Sequence, residues 1–402
     1  MSINRSKGKK IYCTMLVSVA MVLCNFLAAG PSVAIVQITV DFFGPPGPSF
    51  MGNIAKVAYF FTATSLLQGL GNLIWMPVII KYGRRPSYVI SFVGYTVCAI
   101  WAGVAKSYGS ELAARTLLGF FAGSGECIAP MSIVDMWFLH ERGFWMAMYN
   151  CSLSVGVSAG IIISGLITIS LSWRYIYYIA AAMIGVTTIL VIFTLPETAF
   201  NRSPVEVPTE LEATSKIYRH GIEPREDGLM KVQPEYVEEL SAATSSGGSA
   251  SPPLATPPKK RNFAQDLKIF HGELTHESFW HIFYRPVVLL AVPAVLWATL
   301  VMSVTIGFLV AISSNFASAF STTYNFSSVD SGLCFISGLI FTMLGLFGGG
   351  MASDFVADFF TKRNGGIREP EMRLPAIMIG FITTPLGLVL YGVGIDKALR
   401  KF

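Results

Sequence analysis

The chain is poor in charge, in histidine and in catalytic signatures. Only 13% of its 402 residues are Asp, Glu, Lys or Arg, against about 25% in a soluble domain. A water-soluble globule of this size is therefore a poor fit. The five histidines and six cysteines show no metal-ligand spacing. Cys13, Cys24, Cys98, Cys127, Cys151 and Cys334 all lie in or at the edge of apolar segments. They read as small packing residues, not a disulfide framework. There is no Gly-Lys-Ser/Thr phosphate loop, no nucleophile elbow and no His/Cys/Asp cluster. These absences argue against an enzyme, imply no cofactor or metal, and make ATP-driven pumping by this chain alone a poor reading. The net charge of +5 does not point to nucleic acid, because its Lys and Arg sit mostly in short loops, where they set membrane topology.

What the chain has in abundance is apolar sequence: 53% hydrophobic residues and a mean hydropathy of +0.57. A membrane span needs about 20 apolar residues. Candidate spans run at 12–37, 54–80, 87–105, 110–137, 144–170, 173–195, 286–312, 329–352 and 375–396. The first follows Arg5, Lys7, Lys9 and Lys10 as a signal peptide would, but continues to about Val40 and reads as a retained span. Pro77 to Pro86 is a tight basic hairpin between two such spans. Lys81, Arg84, Arg85, Arg142, Lys362, Arg363, Arg368 and Arg373 fall on one side of the membrane. The opposite loops hold Asp41, Lys106, Glu111, Asn325 and Asp330. The N-terminus is therefore expected inside.

Three regions follow. Residues 1–196 form a six-span bundle, 197–285 a cytoplasmic linker, and 286–402 a further three spans. The linker turns rich in Ser, Pro and Gly after Ser241, a composition that cannot bury enough surface to order itself. Phe263, Leu267, Phe270 and Leu274 recur at helical spacing, as in a helix lying on the membrane surface or simply at a linker's end. A two-fold transporter pattern would place six spans on each side of the linker. Here the second half stops after three, and the chain reads as interrupted.

Several short motifs sit in order at inter-span positions. Trp75 and Pro77 precede Tyr82-Gly83-Arg84-Arg85-Pro86. Span 4 opens with Arg115-x-x-x-Gly119-x-x-x-Gly123, with Asp135 and His140-Glu141-Arg142-Gly143 at its inner end. Trp173-Arg174 begins span 6 and Leu195-Pro196-Glu197-Thr198 closes it. The second half has Gly350-x-x-Ser353-Asp354, then Arg363-Asn364-x-Gly366-x-x-Glu369-Pro370-Glu371-x-Arg373-Leu374. In these motifs the chain resembles the major facilitator superfamily, and within it the fungal drug:proton-antiporter-like branch. The resemblance implies an all-α polytopic membrane protein, a major-facilitator-type helical bundle, with alternating access around a midplane site.

The resemblance also implies roles. The loop after span 2 carries a cytoplasmic latch, here Lys81, Gly83, Arg84 and Arg85, with Asp354 and Arg363 in the repeat-related loop. The acidic residue expected three positions before Gly83 is replaced by Ile80, so the latch looks one-sided. Arg84 and Arg85 either latch the face or fix topology. In span 4, Arg115 and Glu126 lie 11 residues apart, on nearly the same helical face and about 16 Å apart along the axis. A charge at membrane depth is a functional hypothesis by default. Glu126 reads as proton carrier or substrate-facing acid, with Arg115 assisting, or else as a structural hydrogen-bonding group. Asn25 in span 1 and Gln68 in span 2 either line the same cavity or act as interhelical glue. Gly119, Gly123, Gly156 and Gly160 suit close helix packing. The proline that the export-associated motif carries after Gly160 is replaced by Ile161. Pro293 and Trp297 mark a kink or a cavity wall in span 7. Asn325-Phe326-Ser327 is a glycosylation sequon in an outer loop.

The function expected is proton-coupled export of a small organic compound, a secondary metabolite or drug, across the plasma membrane. The expected partners are that substrate, the proton and the lipid bilayer, with no nucleic acid. Oligomeric state is left open. The alternatives are a truncated, non-transporting or regulatory membrane protein, an incomplete stretch of a longer product, and a facilitator for nutrients or cations.

Overall fold

The computed structural model describes residues 7–198, 222–224, 230–232, 275, 277–364, 372, 375 and 378–397. The side chains of residues 139, 140, 222–224, 230–232, 347, 350–354 and 379 lie outside that description. The chain divides into two units, Met1–Ala199 with Leu267–Phe402, and Phe200–Asp266.

The first unit is helical throughout its spans. Span 1 is α1 (Lys7–Ala29), a 3-10 turn (Gly30–Ala34) and α2 (Ile35–Phe43). It is thus longer than the 12–37 expected, and broken where Pro31 enters. Spans 2 to 6 are α3 (Phe50–Tyr82), α4 (Arg84–Val104), α5 (Tyr108–Met136), α6 (Leu139–Ile167) and α7 (Arg174–Thr194). Gly83 alone separates α3 from α4. Its φ of 103° is a backbone state that glycine reaches at little cost, which is how the basic hairpin stays so tight. α5 starts at Ser107, whose side chain accepts from the Ser110 N–H, an ordinary N-cap.

The sequence places Glu111 in an outer loop; the structure corrects this. Glu111 lies in the first turn of α5 and is fully buried. The cap at Ser107 starts the helix early enough to carry it inside.

The core of the first six spans sits around α5. Ala114, Leu118, Gly119, Ala122, Gly123 and Ala129 are buried along it, and small residues let backbones approach. Outward-facing positions are apolar in membrane fashion. Ile11, Met15 and Val19 recur every fourth residue along α1 and are all exposed, a stripe that a bilayer would cover.

The second half departs from the expected boundaries. A short helix, α8 (Phe279–Leu289), precedes span 7, and the chain breaks before α9 (Pro293–Tyr324). The span expected at 286–312 therefore starts at Pro293, which occupies the first turn of α9, where its missing N–H costs nothing. Phe263, Leu267, Phe270 and Leu274 lie outside the described residues. Span 8 comprises α10 (Ser328–Leu333), α11 (Phe335–Leu344), a π turn (Gly345–Gly349) and α12 (Gly350–Arg363). The ninth passage is α13 (Met378–Asp396), with Pro385 inside it. Of the nine spans expected, seven are long and apolar enough to cross a membrane among the described residues, the first of them as a broken helix.

The second unit contributes one short antiparallel ladder, β1 (Ile222–Pro224) with β2 (Met230–Val232).

Candidate functional site

Glu126 is partly buried in α5. One carboxyl oxygen accepts from Gln68 Nε2 at 2.6 Å. Its backbone carbonyl accepts from the Tyr149 hydroxyl at 3.3 Å. Spans 2, 4 and 5 therefore meet at one polar point. Among the described residues Glu126 makes no ion pair. A bare carboxylate at this depth is costly; a carboxyl that carries a proton, or meets a cationic solute, is not. Asn25 is partly buried too, but its amide donates to Met21 O in its own helix at 3.1 Å. It faces span 5: a Cβ on Gly156 would lie 2.9 Å from that of Asn25.

Arg115 is not gathered with Glu126. It is fully buried. Its Nη1 donates to Leu27 O at 3.1 Å, and its Nε lies 3.6 Å from a Glu111 oxygen. The guanidinium is flanked by the Phe61 and Tyr177 rings, each 5.0 Å from centroid to Cζ. The two residues share a face by helical arithmetic, but the neighbours at each depth differ. Glu111 at i−4 was the available signal, since acid–base pairs four apart on a helix meet.

The glycines of spans 4 and 5 sit on two seams. Gly119 lies against the backbone of Thr64 and Gly123 against that of Gln68, both in span 2. Gly156 and Gly160 lie against span 1, where added Cβ atoms would come within 2.6 Å of Val22 O and 2.8 Å of Phe26 Cα. Gly123 thus presses on the residue that holds Glu126.

At the inner ends, the Glu197 carboxylate accepts from the backbone N–H groups of Arg84 and Arg85, each at 3.1 Å. These are the first donors of α4, and an anion belongs at such a helix start. Arg84 Nη2 also pairs with Asp135 at 3.0 Å. Arg85 is buried and donates to Ile192 O at 2.8 Å. The acid missing at position 80 is thus matched by two others, from spans 4 and 6. Lys81 lies over the Tyr82 ring, 5.9 Å from its centroid. Arg363 is exposed at the end of α12, and the side chain of Asp354 lies outside the described residues.

A model of the Major Facilitator Superfamily matches residues 15–399. The chain belongs to that superfamily. It is 27% identical over 324 residues to the MFS transporter cpaT of Aspergillus oryzae, covering 80% of this chain and 56% of cpaT. It is 25% identical over 331 residues to mfs2 of Aspergillus flavus, which carries an efflux-pump name, covering 81% of this chain and 67% of mfs2. In fold it is similar to a crystal structure of a D-xylose–proton symporter, at 14% identity and a TM-score of 0.52, over 92% of this chain and 78% of the other. The chain thus spans just over half to two-thirds of the length of these two relatives.

This Major Facilitator chain is accordingly a multi-pass membrane protein of a transporter family. Its structure adds residues that the motifs alone did not assign. Asp41, in α2, accepts from Trp173 Nε1 at 3.2 Å and pairs with Arg174 at 3.0 Å. Arg174 also donates to Ala105 O at 3.3 Å. The outer ends of spans 1, 3 and 6 are tied together this way, beside an open pocket of about 370 Å³ lined by Val36, Gln37, Val40, Asp41, Ser172 and Trp173. Asn325 is exposed, caps α9 in the left-handed conformation, and is followed by Ser327, whose hydroxyl is engaged with Asp330 in a capping box. All six cysteines are free thiols.

Proposed function

We propose that this chain moves a small, largely apolar organic compound, of the secondary-metabolite or drug type, out across the plasma membrane in exchange for protons. Glu126 carries the proton and Gln68 orients its carboxyl. The observation that supports this most is the 2.6 Å bond from Gln68 to a Glu126 that makes no ion pair among the described residues. A neutral carboxyl is stable there, and a substrate passing on the same face alters that stability, which is the coupling an exchanger needs. Rocking of one bundle against the other supplies alternating access. The Arg84, Asp135 and Glu197 cluster holds the inner ends of spans 3, 4 and 6 in place during that motion.

A second reading rests on the same observation. An acid that makes no ion pair among the described residues suits a positively charged substrate as well as a proton, which makes the chain a facilitator for organic cations.

The test uses protein reconstituted in liposomes, an imposed pH gradient and rhodamine 6G as a cationic probe, with internal pH followed by trapped pyranine. Glu126→Gln is expected to abolish both dye movement driven by the gradient and dye-dependent proton flux, while the purified variant elutes as native protein does. Infrared difference spectra after a pH jump should lose one carboxyl band in the variant. Native-like proton flux in Glu126→Gln would remove Glu126 from the mechanism. Dye uptake insensitive to the gradient, but lost in the variant, would favour the facilitator.

A further inference from the structure

The break in span 1 has a specific cause and a specific neighbour. In an α-helix the N–H of residue i bonds the carbonyl of residue i−4. Pro31 has no N–H, so a helix continuing past Ala29 would leave Leu27 O without its donor. Leu27 O is the atom to which Arg115 Nη1 donates, at 3.1 Å. Both residues are 0% exposed, so water is a poor substitute there. The guanidinium is also built into place. Glu111 lies 3.6 Å from its Nε, which balances its charge, and Phe61 and Tyr177 flank its plane.

The turn that follows matters beyond span 1. Gly30 to Ala34 are all buried. A Cβ on Gly30 would lie 2.5 Å from Ser164 Oγ and 3.0 Å from Gly160 O, both in span 5. The turn also packs against α9 of span 7 and α10 of span 8, where Ala317 of α9 is itself buried. The break is therefore a place where the first six spans meet the second half. The arm beyond it, α2, is tethered at its far end through Asp41.

We propose that Arg115 is a positioning residue for span 1. Its guanidinium stands in for the backbone donor that Pro31 lacks. It thereby fixes the Gly30–Ala34 turn on which spans 5, 7 and 8 pack, and sets the angle of the outer arm α2. Arg115 acts through Leu27 O and not on substrate or proton. Glu111 serves to make a buried Arg115 affordable, since breaking such a pair leaves a lone buried charge. Lysine is a poor replacement, because it offers a point charge where a planar fork is needed to reach both groups.

The test is a double-mutant cycle on purified full chain, which needs neither substrate nor pH gradient and so stands or falls independently of the transport reading. Pro31→Ala restores an N–H four residues after Leu27. Arg115→Gln shortens the side chain, so that its amide nitrogen falls short of Leu27 O. Any penalty from the unpaired Glu111 is present in both backgrounds and cancels in the cycle. Arg115→Gln is expected to lower the apparent Tm by roughly 5–15 °C in the Pro31 background, and by less than half that shift in the Pro31→Ala background. Equal losses in the two backgrounds would overturn the proposal. If Arg115→Gln does not accumulate, Arg115→Lys is taken through the same cycle, with the same two outcomes.

A second readout separates positioning from bulk stability. Spin labels at positions 40 and 322, both exposed, in a background with the six cysteines replaced, report the distance from α2 to the outer end of span 7. Arg115→Gln should broaden and shift that distance distribution in the Pro31 background, and should change it less in the Pro31→Ala background. An unchanged distribution in Arg115→Gln would refute the role.

Discussion

Replacing Glu197 tests whether the inner cluster is a structural clamp. Its carboxylate takes two backbone N–H groups at the start of α4, each at 3.1 Å. Hydrogen bonds to a charged group contribute about 1.5–3 kcal/mol each, and an anion at a helix N-terminus about 0.3–1 kcal/mol more. Glu197 is only partly buried, so water recovers a share when the side chain is removed. Glu197→Ala should then cost about 3–5 kcal/mol. At about 2–4 °C per kcal/mol for a domain of 150–250 residues, the apparent Tm falls by roughly 6–20 °C. Glu197→Gln keeps one neutral acceptor and should lose about half as much. The chain supplies its own reporter, because Cys13, Cys24, Cys98 and Cys151 are buried free thiols. A maleimide that fluoresces on reaction reads their exposure as detergent-solubilised protein is heated. The reasoning fails if Glu197→Ala melts within about 2 °C of the native chain, or if Gln and Ala fall equally.

Three further outcomes follow from the same geometry. Arg84 and Asp135 are 15% and 16% exposed, so removing either partner should cost about 2–4 kcal/mol and removing both distinctly less than the sum; additive losses in the melting assay would show that the pair is not coupled. Gly119→Val drives a side chain into the backbone of Thr64 and should sharply reduce folded yield, whereas Gly185→Ala meets only Thr96 Cγ2 at 3.8 Å and should gain up to about 1 kcal/mol from helix propensity; equal yields of the two variants on size-exclusion chromatography would refute the seam. Asp41→Asn keeps an acceptor for Trp173 but removes the charge that pairs with Arg174, and because Asp41 is 42% exposed the expected change is under about 1 kcal/mol; a melting shift beyond about 5 °C would mean the outer tie carries more than its exposure allows.

Much of this was legible in the sequence, for a physical reason. A bilayer demands long apolar runs. Hence the six helices of the first half match the apolar segments, and the family resemblance in the motifs agrees with the family match. What stayed hidden depends on proximity between distant positions. Glu197 is 113 residues from Arg84 in the chain, and no local pattern announces that its carboxylate closes a helix start. Asp41 and Trp173 are 132 residues apart. Glu111 was misread for the opposite reason. Its partner is only four residues away, but a charged residue at a span's edge looks like loop until the cap at Ser107 is seen. Pro31 was passed over because an apolar run reads as continuous whether or not its helix breaks. In the second half the boundaries were less legible, because the chain breaks just before Pro293 and winds as a π turn at Gly345–Gly349 within otherwise uniform hydrophobicity.

The five-residue π turn at Gly345–Gly349 has a consequence for how span 8 tolerates change in length. A single π turn accommodates one residue more than α-helical winding would, and an α-helix advances about 100° per residue. Deleting one glycine there should let the segment rewind as plain α-helix with the faces of α11 and α12 still in register. Deleting one residue within α11 would instead rotate all that precedes it by about 100° against all that follows. The same loss is thus absorbed at one place and scrambles the membrane face at another. That makes the turn a length adjuster, a point where span 8 can gain or shed a residue while the orientation of its two ends is preserved.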